Sequence, residues 1–395
     1  MATTQRIPVS PPVLVWARES ISLSSQDAAK KLGISEETLG RWESGDLAPT
    51  ISQLRKAADK YKRPLGVLLL AEPPRTFDAM RDFRRGTAAE LTWSPELHGE
   101  FRRALDQRDV FVELSEISAD SVPTAERPPA ISQGSDVDAV GEVLREYLGI
   151  TTDQQLKWSD VYEALNAWVS AVESKGIIVI HTRNVSNDEM RAFSINEWPY
   201  PVIALNGSDF PRGRIFSLVH ELVHLAINLG GLCDLHDEDR PSTPDDRLEH
   251  YCNQVSGAVL LPRELVLNQP EVEAIESSYN WTLSELSSVS QRFGVSSEAL
   301  LLRLISLGKA NWVTYERRRE EFRFEYDSVI AARRLRRVQG RGGANYYRTK
   351  ARDIGHGYAV TVLEAYGNQV LSSRDVADLL NIKFGQISKL QAELH

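Results

Sequence analysis

The sequence predicts an α+β protein that is predominantly helical, and three observations support this. Between residues 12 and 72, short stretches with helical apolar spacing alternate with serines and glycines that cap helices. Three β-branched runs, at residues 176–181, 192–195 and 202–205, have the length and composition of buried strands. Apolar stretches with helical spacing follow these runs. We therefore expect an all-α N-terminal domain, a central domain with a small sheet packed on helices, and a C-terminal helical extension.

The N-terminal region has the layout of a helix-turn-helix. Gly33 ends one serine-capped helix and Ser35 begins the next. In such a motif the second helix enters the major groove, so we expect residues 8–74 to bind double-stranded DNA. The side chains expected at the DNA are Gln26, Lys30, Ser35, Thr38 and Arg41. Glu36 and Glu37 would oppose phosphate binding, which leaves a dimerisation or protein-docking module as the alternative.

A second set of residues points to a particular type of helix-turn-helix. Trp42-Glu-Ser-Gly45 is followed by Pro49-Thr-Ile-Ser-Gln-Leu54. This pattern closely resembles the Xre/Cro-type DNA-binding domain.

Charge is distributed unevenly along the 395 residues, whose net charge is −9. Residues 1–75 carry +3 and residues 313–395 carry +5, so the middle of the chain carries −17. The acidic middle would repel DNA, whereas the two basic ends could approach it.

Two further regions flank the centre of the chain. Residues 75–135 are expected to form a helical linker region, with a helix at 97–114. Residues 313–395 are expected to form a basic helical C-terminal region in which 373–380 and 384–390 suggest a second helix-turn-helix shape. Its arginine clusters and its glycine-rich break are at residues 317–319, 333–337 and 340–343. Basic and aromatic side chains together can bind nucleic acid, although a solvated helix face also explains a charge run.

Composition indicates the compartment. The chain has no apolar run of about eighteen residues that would span a membrane, and its first residues lack the apolar core of a signal peptide. Two cysteines in a chain of this length argue against a disulfide framework. We therefore expect a cytoplasmic protein without a membrane partner.

The most informative motif is His220-Glu221-Leu-Val-His224, which has H-E-x-x-H spacing. On a helix the two histidines lie on one face, one turn apart, where both can bind the same Zn²⁺. The intervening Glu221 can then act as general base. The alternative is that the three are ordinary polar groups satisfied within the core.

A zinc site of this kind needs a third protein ligand. Ile227 and Gly230 stand where the metzincin pattern would place glycine and histidine, so that class is excluded. Glu249 lies beside the apolar stripe of the next predicted helix, which is expected at residues 248–261. The main rival is His236, in an Asp-, Pro- and Ser-rich segment at 233–246 that is expected to be a surface loop.

The ordered motifs resemble the ImmA/IrrE metallopeptidases, whose peptidase domain is zincin-like. They are Pro201–Asn206, Arg214–His224, Glu249-x-x-x-Asn253 and Ala258–Pro262, and the resemblance extends over residues 140–310. It implies that His220, His224 and Glu249 bind zinc and that Glu221 is the base. It also implies a protein substrate, typically a transcriptional repressor cut in response to stress or to a mobile element. The chain departs from the family at Val223, where glycine is common, and at Asn228, where histidine is common.

These inferences divide the chain into four regions: 8–74, 75–135, 136–312 and 313–395. We expect a zinc-dependent endopeptidase fused to a DNA-binding head. The alternative is a non-catalytic regulator that resembles antitoxin-like proteins and binds DNA and a partner toxin. A homodimer is compatible with either reading. An edge strand of the central sheet could hold an extended substrate by main-chain hydrogen bonds.

Overall fold

The computed structural model describes residues 6–74, 93–117, 122–229, 232–233, 243–275, 280–338 and 345–394. The described chain divides into two compact units. Unit one contains residues 6–74, 93–106 and 183–185, and unit two contains the remainder. The four-region division expected from the sequence stays a prediction.

Unit one is a bundle of short helices, as expected. Its helices are α1 (Pro11–Glu19), α2 (Ser25–Leu32), α3 (Glu36–Ser44), α4 (Ile51–Lys60), a 3₁₀ turn (Val67–Leu69) and the first part of α5 (Pro95–Ile117). Ser24 and Ser35 cap α2 and α3, and Gly33 joins them with φ of +67°. Glycine adopts this left-handed conformation without strain, so it ends α2 where the sequence predicts. The bundle core contains Leu14, Leu32, Leu39, Trp42, Leu54 and Tyr61.

One ion pair is buried inside unit one. Arg18 lies on α1, and its Nε donates to Glu43 Oε1 on α3 over 2.7 Å. The two side chains are only 9% and 12% exposed. The hydrogen bond to Glu43 outweighs burial and raises the pKa of Arg18. The pair therefore links α1 to the C-terminal turn of α3.

The first part of α5 packs on the helix-turn-helix bundle. Arg102 Nη2 donates to the carbonyl oxygen of Lys62 over 2.7 Å. His98 contacts Trp93, with 5.1 Å between ring centroids. Residues 93–106 thereby extend the core of unit one.

Unit two contains the sheet, whose described strands are β1 (Ile178–Thr182), β2 (Ala192–Ile195), β3 (Val202–Asn206) and β4 (Leu232–Cys233). The strand order is β1-β3-β2-β4. β1 and β3 are parallel, whereas β2 is antiparallel to both of its neighbours. All residues of β1, β2 and β3 are buried, which explains why most of them are apolar. The three expected strands are present, and the two-residue β4 was not expected.

The helices of unit two pack against this sheet and against each other. They are α6 (Val137–Leu148), α7 (Thr152–Gln155), α8 (Val161–Glu173), α9 (Pro211–Ala226), α10 (Pro244–Leu260), α11 (Arg263–Leu267), α12 (Pro270–Glu273), α13 (Leu283–Phe293), α14 (Ser297–Ser306), α15 (Trp312–Val338), α16 (Tyr346–Ile354), α17 (His356–Gly367), α18 (Ser373–Leu379) and α19 (Ile387–Leu394). A single apolar cluster joins α6, α8, α9, α10, α13 and α14 to the sheet. The observed class is α+β and mostly helical, which confirms the expected fold class.

Helix α10 is held at a fixed depth in this cluster. It crosses α6 at Gly141, where a Cβ atom would lie 2.8 Å from the Cβ of Ala258. Three polar side chains bind the carbonyl oxygens at its C-terminal end over 2.8–3.0 Å: Arg145, Gln155 and Arg303. The crossing with α6 and the hydrogen bonds at the C-terminal end together fix the position of α10. They therefore also fix which face of α10 packs against α9.

The C-terminal helices α16 and α17 pack against β1. Gly355 joins them with φ of +100°, and a Cβ there would lie 2.5 Å from the carbonyl oxygen of Val179. His181 Nδ1 lies 3.1 Å from the carbonyl oxygen of Arg352. The glycine-rich break expected at residues 340–343 lies outside the described residues. Among the helices described, none is long and apolar enough to cross a membrane.

Candidate metal centre

The H-E-x-x-H motif lies on α9, as the sequence predicts. Pro211 occupies the first turn, where its missing N–H is not needed. The helix ends at Ala226, before the glycine pair 230–231, which is a helix-stop signal in the sequence and lies outside the described residues. Asn228, with φ of +64°, provides the left-handed residue instead. Asparagine tolerates this conformation better than most residues, which explains the earlier end.

The next helix begins earlier than expected. Residues 244–246 were expected in a loop, but they form the first turn of α10. Thr243 accepts a hydrogen bond from the Asp246 N–H over 3.0 Å, and Asp246 accepts one from the Thr243 N–H over 2.9 Å. This reciprocal cap, followed by Pro244 in the first turn, starts the helix. Glu249 consequently lies well inside α10.

Three side chains from α9 and α10 converge on one point. His220 Nε2 lies 3.0 Å from His224 Nε2 and 3.1 Å from Glu249 Oε2. His224 Nε2 lies 3.2 Å from Glu249 Oε1. The two histidines are fully buried and Glu249 is 8% exposed. The structure thus brings together the three residues that the sequence nominated as ligands.

The dimensions of this group suit a zinc ion. Ligand atoms bound to tetrahedral zinc at about 2.0–2.1 Å lie about 3.3–3.4 Å from each other, close to the observed separations. Two imidazole nitrogens and one carboxylate are a common donor set for zinc. The opposite ring nitrogen of His220, Nδ1, is buried and has no hydrogen-bond partner among the residues that the structure describes. Three buried acceptor atoms converging in this way repel one another unless a cation or protons lie between them.

Electrostatics favours the ionised form of the third ligand. Burial by itself raises the pKa of Glu249, but hydrogen bonds and charge from His220 and His224 outweigh it and lower the pKa well below its usual range. The carboxylate is therefore available as an anionic ligand.

Cys252 is a neighbour of the site that the sequence did not single out as a functional residue. Its Sγ lies 4.0 Å from His224 Nδ1. Burial raises the pKa of Cys252, which keeps the thiol protonated. The sequence spacing does indicate this position, since Cys252 follows Glu249 by three residues and so lies on the same face of α10.

Glu221 and Asn253 flank the three converging side chains. Glu221 is fully buried on α9, directly after His220. Asn253 is 7% exposed on α10, one turn after Glu249, and its buried Oδ1 has no hydrogen-bond partner in the described part of the chain. Glu221 thus lies on the same helix as the two histidines, and Asn253 lies on the same helix as Glu249.

The rival ligands do not enter this group in the described part of the chain. His236 lies outside the described residues. His250 adjoins Glu249, but the group of possible ligands contains only His220, His224 and Glu249 among the residues described.

The side chains expected at DNA lie on α2, at the start of α3 and along α3. Gln26, Lys30, Ser35 and Arg41 are exposed and Thr38 is half-buried. Ser35 Oγ caps α3 by accepting from the Thr38 N–H over 3.1 Å. The hydroxyl of Ser35 is therefore engaged with the helix end, and its role at DNA stays a prediction.

Comparison with protein families gives two matches. Residues 173–305 match a peptidase family described as an IrrE N-terminal-like domain, and residues 14–68 match a family described as helix-turn-helix. The chain joins a helix-turn-helix domain to an IrrE-like domain. The resemblance inferred from the motifs is thereby confirmed. The IrrE-like match includes α9 and α10, and so contains every residue of the candidate metal centre. No curated protein and no solved structure matches the chain.

Proposed function

We propose that this chain is a zinc-dependent endopeptidase that binds DNA through its helix-turn-helix domain and cuts a regulatory protein such as a transcriptional repressor. The observation that carries the proposal is the convergence of His220, His224 and Glu249 at 3.0–3.2 Å. Glu221 is buried next to this point on the same helix. The match to a peptidase family supports the same reading.

In this proposal His220, His224 and Glu249 hold the metal and Glu221 moves the proton. A bound zinc ion supplies Lewis-acid activation of a water molecule and of the scissile carbonyl. Glu221 accepts the proton of the attacking water and passes it to the leaving amine nitrogen. Burial of the site excludes bulk water, which strengthens these interactions.

In this proposal the helix-turn-helix domain brings the peptidase close to repressors that are bound to DNA. Binding to DNA near an operator would raise the local concentration of a repressor bound there. The exposed Lys30 and Arg41 could provide phosphate contacts. The combination of the two domains therefore supports a DNA-bound repressor as the substrate.

Metal content tests the first half of the proposal. Purified protein should contain about one zinc ion per chain, and His220→Ala should contain none. Glu221→Gln should keep its zinc, because Glu221 is not one of the three converging ligands. A wild-type chain that neither contains zinc nor takes up added zinc would rule out the proposal.

Cleavage tests the second half. An extract of the source cells is incubated with the zinc-loaded chain, and new protein N termini are labelled and identified by mass spectrometry. Wild type should generate termini that are missing with Glu221→Gln and with a chelator. If the two proteins give identical termini while both bind zinc, the chain is a non-catalytic regulator, as in the antitoxin-like alternative.

A further inference from the structure

The C-terminal helices α18 and α19 repeat the sequence of α2 and α3. Residues 23–34 read LSSQDAAKKLGI and residues 371–382 read LSSRDVADLLNI. Seven of these twelve positions are identical at a constant offset of 348. Chance would give about one identity in twelve for common residue types. The similarity therefore predicts that the two segments have the same local structure.

The first helix of each segment starts in the same way. Ser24 Oγ accepts from the Asp27 N–H over 3.1 Å, and Ser372 Oγ accepts from the Asp375 N–H over 3.3 Å. Each serine is the N-cap of its helix, and each aspartate is the third residue of its first turn. The caps thus occupy equivalent positions.

The turn between the helices is also the same. Gly33 has φ of +67° and its counterpart Asn381 has φ of +49°. In the first segment the Ile34 N–H donates to the Ala29 carbonyl over 3.1 Å. In the second, the Ile382 N–H donates to the Ala377 carbonyl over 2.9 Å. Both turns therefore have the same backbone hydrogen bond, and both have a residue in the left-handed conformation at the same position.

The second helices share their buried positions. Leu39 and Trp42 on α3 are 1% and 2% exposed, and their counterparts Ile387 and Leu390 on α19 are 6% and 0% exposed. A 3₁₀ turn at Phe384–Gln386 leads into α19 at the positions where α3 begins. Equivalent residues of α3 and α19 are buried. The opposite, solvent-facing sides of the two helices therefore also correspond.

We propose that residues 372–394 form a second helix-turn-helix that binds double-stranded DNA, with α19 as its recognition helix. Of the five positions expected to contact DNA in the first segment, four have basic or amide counterparts in the second. These counterparts are Arg374, Lys383, Gln386 and Lys389. The fifth position, that of Lys30, is occupied by Asp378. Its Oδ2 lies 3.9 Å from Arg374 Nε.

The second surface suits DNA better than the first. Glu36 and Glu37, which would oppose phosphate binding in the first segment, are replaced by Phe384 and Gly385 in the second. Lys383 and Lys389 are exposed, and Phe384 is 67% exposed. Phosphates attract the two lysines, and an apolar ring at the start of a recognition helix can contact a thymine methyl group.

The first domain must be disabled to test the second. Binding of the full chain to a fluorescent duplex of about three helical turns is measured by anisotropy at about 50 mM salt and over a salt series. In a Lys30→Glu/Arg41→Glu background we expect residual binding. Adding Lys383→Glu/Lys389→Glu should weaken that binding at least about tenfold and reduce the salt slope by about 1.8.

The matched control reverses two exposed charges of unit two outside both segments, Lys157 and Arg127. Arg127→Glu/Lys157→Glu in the same background should change affinity less than about twofold. All altered side chains are exposed, so circular dichroism should be unchanged. Arg127 also lies over the Trp198 ring, 5.0 Å from its centroid, so a small decrease in Tm is expected for the control alone. The proposal is overturned if the Lys30→Glu/Arg41→Glu background binds no duplex. It is equally overturned if reversal of Lys383 and Lys389 has no more effect than the control, which would leave protein docking as the role of α18 and α19.

Discussion

The Nε2 atoms of His220 and His224 lie 3.0 Å apart on successive turns of α9. Helical spacing alone places the two rings on one face, but the Nε2 atoms meet only because both side chains turn towards α10. Glu249 then closes the triangle from α10. The site therefore depends on the packing of two helices that are joined by an acidic segment of the chain.

Loss of the third ligand should remove most of the metal affinity. We expect Glu249→Ala to weaken zinc binding on the order of 100-fold or more, since even indirect ligand partners contribute about 10–100-fold. Competition with a chromophoric chelator measures this. Glu264→Ala, at an exposed glutamate on α11, is the control and should bind zinc like wild type. Equal affinities for the two variants would contradict the assignment of Glu249.

The crossing of α6 and α10 should be intolerant of added volume. Gly141→Ala places a methyl group 2.8 Å from the Cβ of Ala258, so we expect a loss of about 1–3 kcal/mol in stability. Because Ala258 is on the ligand helix, zinc affinity should fall as well. Thermal unfolding checks the first effect, with Gly367→Ala as control. Nothing lies within 4 Å of the added atom at Gly367, so that variant should be neutral or slightly stabilised.

The buried pair of Arg18 and Glu43 should be sensitive to removal of one partner. Glu43→Ala removes the buried partner of a guanidinium that is 9% exposed and leaves it Glu19, which is 62% exposed and 3.3 Å away, so we expect a loss of about 3 kcal/mol. The double variant Arg18→Met/Glu43→Ala removes both charges and should recover most of the loss, and Arg18→Met alone completes the cycle. Denaturant unfolding followed by tryptophan fluorescence measures the cycle. Additive losses in the double variant would show that the pair is not coupled.

Stability of unit one should depend on pH through His98. Burial, followed by the charges of Arg102 and Arg63, lowers the pKa of His98 to about 4. The unfolded chain, with a histidine pKa of about 6.5, then binds more protons between pH 4 and 6.5. Stability is fully present above this window and falls as pH decreases through it. The His98 ring is partly exposed, so solvent screens its charge. We therefore expect the free energy of unfolding to fall by about 1–2 kcal/mol across this window, less than the full pKa shift would give.

The variant His98→Phe isolates this effect, since phenylalanine retains a ring beside Trp93 but cannot be protonated. Urea unfolding of both proteins between pH 7 and 4.5 should show a shallower decline for the variant. Parallel pH profiles would mean that His98 titrates normally in the folded chain.

Much of the site could be predicted because it depends on local patterns. The i, i+4 spacing of His220 and His224 sets their common face, and the edge position of Glu249 beside an apolar stripe predicts a core neighbour. The depth of α10 could not be predicted. It depends on contacts between residues far apart in sequence, such as Gly141 with Ala258.

The element boundaries that were missed have local physical causes. The start of α10 depends on the reciprocal cap between Thr243 and Asp246, in a segment whose composition is typical of loops. The end of α9 depends on Asn228 adopting a conformation usually left to glycine. Strand β4 has two residues, too few for a period-two pattern.

The close approach of Gly355 to Val179 has a consequence for the integrity of the sheet. In the part of the chain that the structure describes, β1 pairs on one side only, with β3, and α16 and α17 pack against it. A bare strand edge is a template for pairing with another chain. Removal of residues 345–394 would expose the backbone of β1, and the shortened protein would be prone to aggregate through that strand. The C-terminal helices therefore act as a guard against edge-to-edge association, whatever else they bind.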